Sequence, residues 1–153
     1  MNWHERLRML LPALWLGGLV CIATIAAPAA FKALAPPLAG QVVGRIFAAE
    51  AATSLALGLL VLLLERRCGE ERGLPAMHAG VLLAFGTLFC SVAGYYALQP
   101  LMAAARLGQG TLSFGQLHAI SLGFFGLKAI LVATLAWRAS GARGLALDQA
   151  QGA

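Results

Sequence analysis

Four apolar runs, each long enough to cross a bilayer, alternate along the chain with short polar stretches. Between Arg8 and Lys32 stand 23 residues without one ionisable side chain, and about 20 suffice to cross a hydrocarbon core of ~30 Å. The pattern predicts a first span over residues 9–34. From Gln41 to Leu64 the run carries Arg45 and Glu50 in its first half and is almost pure Leu, Val and Ala afterwards, which predicts a second span over 41–64. A third is expected over 76–99, closed by Tyr95 and Tyr96 as an interfacial aromatic belt and by Pro100 as a stop. The fourth is expected over 111–137, where Trp137 and then Arg138 mark the interface. Residues 1–8 precede this membrane domain, which runs over 9–138, and 139–153 read as a disordered tail.

The fold class is therefore an all-α membrane protein, a four-helix transmembrane bundle. Arg6, Arg8, Arg66, Arg67, Arg72, Arg138 and Arg143 fall on one side of it, against Lys32, Arg45 and Arg106 near the other. By the positive-inside rule the first group is cytoplasmic, so both ends face the cytoplasm, in an inner membrane of a bacterial kind. Arg6 and Arg8 before an apolar run, with Ala27-Pro28-Ala29 after it, imitate a secretory signal. The run is longer than the roughly 7 to 15 residues of a signal core, and an uncleaved span is expected. The stretch Glu65 to Arg72 mixes both signs and reads as a solvated hairpin.

Composition agrees with this solvent. Charged residues make up 11% of the 153, under half of the roughly 25% usual in soluble domains, too few to cover a water-soluble surface. The net charge of +5 comes from bases that flank apolar runs rather than from a basic face, so nucleic acid is not an expected partner. The bilayer is. Small residues at four-residue spacing, Gly40 and Gly44, Ala48, Ala52 and Ala56, Gly86, Cys90 and Gly94, Gly115, Ala119 and Gly123, allow close helix approach within the bundle, with a second copy, or with partner helices.

Candidate chemistry rests on the polar residues inside the spans, since an ionisable side chain there is costly and marks function by default. At a rise of about 1.5 Å per residue from Gln41 and from Thr111, Glu50 lies roughly 12 to 14 Å in, His118 roughly 10 Å and Ser121 roughly 15 Å. Glu50 and His118 are expected to meet. Their level also takes in Cys90, Ser91 and Tyr95 of the third span. Two readings stand: an outer-leaflet pocket that binds a cation or carries protons, or hydrogen bonds that merely join helices. Lys128 falls on the His118 and Ser121 face and reads first as a snorkelling anchor toward the cytoplasmic side, second as a ligand.

No cofactor is expected. His78 opens the third span and His118 lies in the opposite half of the fourth, so they do not face one haem iron. The methionines show no metal-like spacing for copper, the three cysteines share no CxxC or Cys/His spacing and read as unpaired thiols, and no metal site is assigned.

Several stretches together, LWLGG at 14–18, APAAF at 27–31, AGQVVGRIF at 39–47, QPLMAAAR at 99–106 and FGQLHAIS at 114–121, resemble the transmembrane protein 205-like family, whose bacterial members are filed as domain of unknown function 4149. The resemblance implies a four-span bundle without established enzymatic activity, loosely tied to tolerance of drugs or metals. It adds Arg106 to the candidate site beside His118 and Ser121, with Phe47 and Pro28 also at matched positions. Ala119 stands where the family pattern often has glycine.

Three function classes follow. The first binds or transports a small cation, metal or drug through an outer polar pocket built from Glu50, Tyr95, Arg106, His118, Ser121 and Lys128. The second is a non-catalytic interaction or assembly subunit of a membrane complex. An enzyme is the least supported, because the chain has no nucleophile-base pair and no phosphate loop.

Overall fold

The computed structural model describes residues 3–151, with side chains through 141. Among the described residues it is all helical. Four helices are long and apolar enough to span a membrane: α1 (Trp3–Ala33), α2 (Pro36–Glu71), α3 (Ala79–Arg106) and α4 (Phe114–Gln151), the apolar part of the last being Phe114–Gly141. Helices are what these apolar runs must form, because lipid offers no partner to a free backbone N–H or C=O. Each neighbour in the order α1, α2, α3, α4 packs on the next, and α4 closes back on α1.

The connections carry local signals that set each helix's register. Only Leu34 and Ala35 separate α1 from α2, and Pro36 and Pro37 start α2 where a missing N–H costs nothing. The end of α2 is a Schellman turn: Gly73 at φ +66 donates to Glu70 O, and Leu74 donates to Gly69 O. Gly108, at φ +71, ends α3 in the same way, donating to Ala105 O while Gln109 donates to Ala104 O. A capping box starts α4, in which Gln116 N donates to Ser113 Oγ at 3.3 Å and Ser113 N to Gln116 Oε1 at 2.9 Å.

Two expectations are corrected here. Pro100 does not stop the third span, which continues to Arg106. A π-helical stretch, Val92–Ala97, lies just before it, and such a bulge shifts the carbonyl ladder that a proline ring would otherwise strike. The same device, Ile22–Ala26, precedes Pro28 in α1. The second correction concerns 65–71, which form the last two turns of α2 rather than a hairpin, with Glu65 and Cys68 buried. The expected tail at 139–153 is outside the described residues from 152 on, and the backbone of α4 continues through its first part to Gln151.

The bundle has two unlike halves. At the end that carries Arg8 and the α2–α3 connection the helices close on a core of Val61, Leu62, Val81, Ala84 and Leu135, joined above by Trp15, Leu19 and Val132. Toward the other end the packing divides, the last part of α1 staying with α2 and the last part of α3 with α4. The small-residue stripe of α3 is what holds its pair tight. A Cβ on Gly94 would lie 2.4 Å from Phe124 Cβ, and one on Gly86 3.0 Å from a Leu131 methyl. Gly40, Gly44, Gly115 and Gly123, by contrast, have open space where a Cβ would stand.

Candidate functional site

Between the two diverging pairs lies a cavity of about 820 Å³, within the range of about 300–1,000 Å³ typical of small-molecule sites. All six sequence-predicted site residues line it: Glu50, Tyr95, Arg106, His118, Ser121 and Lys128. Both π-helical stretches reach its wall, through Ala23 of the first and Gly94 and Tyr95 of the second.

Its floor is a buried ion pair. Lys128 Nζ stands 2.6 Å from Glu50 Oε1, with side chains 4% and 7% exposed. Ser54 joins them, and its one hydroxyl has every bond it can make. It donates to Glu50 Oε1 and accepts from Lys128 Nζ at 3.3 Å and from Trp15 Nε1 at 3.0 Å. Three helices thus meet at one hydrogen-bonded cluster, whose ammonium also stands 5.1 Å from the Phe125 ring centre. Phe125 in turn packs edge-on against Phe47 at 5.4 Å.

The expected meeting of Glu50 and His118 does not occur. Helix α2 begins at Pro36 and α4 at Phe114, so Glu50 and Lys128 each lie 14 residues along, about 21 Å, while His118 lies only 4 residues along, about 6 Å. Lys128 is accordingly a buried partner of Glu50 and not a snorkelling anchor. His118 sits near the mouth, exposed, its ring stacked on Phe114 at 5.9 Å and 14°. His78 is at the opposite end, capping α3 by accepting from Gly80 N through Nδ1 at 3.2 Å, and its Nε2–H points to Glu65 O at 3.0 Å.

The mouth is basic and aromatic. The Arg106 guanidinium lies over the Phe114 ring, 4.7 Å from its centre, so Arg106 and His118 both stack on Phe114. Ser121 donates to Gly94 O at 2.7 Å, satisfying a carbonyl inside the π-helical stretch where the regular ladder is broken. Its role is thus to hold α4 on α3, and Tyr95 stands beside it, half-buried and edge-on to Tyr96.

Sequence reasoning missed Trp15, whose indole N–H needs a buried partner in mid-span, and the ion pair at the other end of the bundle. There Arg8 Nε meets Glu65 Oε1 at 2.5 Å, with the Glu65 side chain 3% exposed. The family model described as domain of unknown function (DUF4149) matches residues 10–110. Neither a curated protein nor a solved structure matches the chain.

Proposed function

The chain belongs to the DUF4149 family, and from that premise we propose that it is a non-catalytic binding protein of the bacterial inner membrane which takes organic molecules, drug-like amphiphiles included, into the cleft between its helix pairs. In this reading both ends are cytoplasmic and the cleft opens to the outer leaflet. The family's wider kinship with transmembrane protein 205-like proteins is part of the same proposal. The observation that carries it is the division of the bundle around one cavity lined by the polar residues of three spans. A bare cation or metal suits the cleft less well than an organic ligand, because the carboxylate of Glu50 is already neutralised by Lys128. The open Gly40 and Gly44 face favours a second reading, an assembly subunit that receives a partner's transmembrane helix in the same cleft. Co-purification of such a partner at fixed stoichiometry would distinguish it.

Gly44→Trp provides the test. The glycine lines the cavity and a Cβ there meets nothing within 4 Å, so the indole fills the cleft without opening the bundle. With an alkyl diazirine probe in membrane vesicles, photolabelling of the wild type is expected to concentrate on cleft residues such as Ala23, Gly40 and Leu122, and Gly44→Trp is expected to lose most of it at unchanged protein level. Labelling spread over the lipid-facing surface, equal in both proteins, would overturn the proposal.

A further inference from the structure

We infer that the ligand of this cleft is an acidic amphiphile, with a phosphate or carboxylate head held at Arg106 and an apolar body laid between α2 and α4. The inference rests on the reading of the cleft as a binding site and names its ligand class. Apart from the Cys90 thiol and the Tyr95 phenol, the ionisable side chains that line the cavity are Glu50, Arg106, His118 and Lys128. Glu50 and Lys128 cancel each other at the floor. Among the described residues Arg106 has no carboxylate partner, and its guanidinium rests on Phe114, the ring on which His118 also stacks. The charge left for a ligand is therefore positive and located at the mouth, where a guanidinium on an aromatic face keeps its donors free for an oxyanion.

Between mouth and floor the walls are mostly apolar, and the Ser121 hydroxyl there is turned to Gly94 O. Ala23, Ala27, Phe47, Leu122 and Phe125 line the path, which from the level of His118 to that of Lys128 covers 10 residues of α4, about 15 Å. Such a lining repels a second charged group and accepts an alkyl chain. The cleft opens between helix pairs inside the membrane, so a molecule dissolved in the bilayer enters sideways with its head at the interface. The shared chemistry, an acidic head on an alkyl chain, belongs both to a free alkyl phosphate or fatty acid and to an anionic membrane lipid.

The experiment uses the full chain in a neutral maltoside detergent and in nanodiscs. Three probes of equal chain length, dodecyl phosphate, dodecanol and dodecyltrimethylammonium, are titrated while thermal unfolding is followed. Dodecyl phosphate is expected to bind about tenfold more tightly than the other two, the worth of one charge-assisted hydrogen-bonded pair. Arg106→Gln is expected to erase that preference and Arg106→Lys to keep a preference for the anion. In nanodiscs of phosphatidylcholine with phosphatidic acid, stabilisation without added probe identifies the lipid as source, whereas stabilisation only by added dodecyl phosphate identifies the free amphiphile. Either result supports the inference. Equal or tighter binding of the cationic probe, or a preference that survives Arg106→Gln, overturns it; if that binding is still lost in Gly44→Trp, the cleft remains a binding site of another ligand class. Failure of every probe to bind the wild type overturns both.

Discussion

Lys128→Met is expected to destabilise the protein by about 3 to 5 kcal/mol, the usual cost of removing one member of a buried ion pair. Methionine keeps the length and much of the volume of lysine, so the loss measures charge rather than space. Glu50 would be left with the Ser54 hydroxyl alone, among the Phe125 ring, Trp15 and the middle of three helices. Glu50→Gln is expected to cost a comparable amount, because it strands the ammonium. The double variant should recover most of either loss, since two neutral side chains replace two charges and neither is left unpaired. Thermal or denaturant unfolding of the four proteins in one detergent measures this. Simply additive losses would show that Glu50 and Lys128 do not act as a pair.

The second large effect lies at the other end of the bundle. Arg8→Met is expected to cost about 3 kcal/mol or more, because it removes the cation paired with a buried carboxylate. Among the described residues Glu65 Oε2 has no hydrogen-bond partner, so without Arg8 the carboxylate loses its ion pair as well. It is also hemmed in: a Cβ on Gly80 would fall 2.0 Å from Glu65 Oε2, and one on Gly69 would fall 2.4 Å from His78 Nε2. These two glycines make the room in which α1, α2 and α3 are tied together. Glu65→Gln in the Arg8→Met background should restore part of the stability. Alkyl diazirine labelling of the cleft should stay unchanged per folded molecule, because the two ends do not share a side chain. A loss below measurement error would show that Arg8 and Glu65 are paired only incidentally.

The four spans were legible because lipid leaves the backbone no alternative, so each apolar run forms a helix whatever its details. The convergence of Glu50, Tyr95, His118 and Ser121 on one cavity was legible too, from depth and helical face, whereas Lys128 was legible only by its face and Arg106 only through the family resemblance. Which of them touch was not. That depends on where each helix begins, and α2 starts five residues before Gln41 while α4 starts three residues after Thr111. A separation read as two residues of rise becomes ten, and His118 gives up its place beside Glu50 to Lys128. The signals for the true starts, Pro36-Pro37 and the Ser113–Gln116 capping box, were present in the chain, but polar flanks drew the boundaries elsewhere. Pro100 was misread because a π-helical stretch leaves no mark in hydropathy. Glu65 was misread because the charges of 65–72 look like a loop, although no helix-ending glycine with a positive φ comes before Gly73.

Native mass spectrometry of the protein released from its own membranes into a mild detergent tests the cleft reading most directly. The wild-type chain is expected to retain one organic ligand per copy, and Gly44→Trp, with its cavity filled, is expected to fly bare. Wild type and variant carrying the same adducts, or both carrying none, would contradict the account.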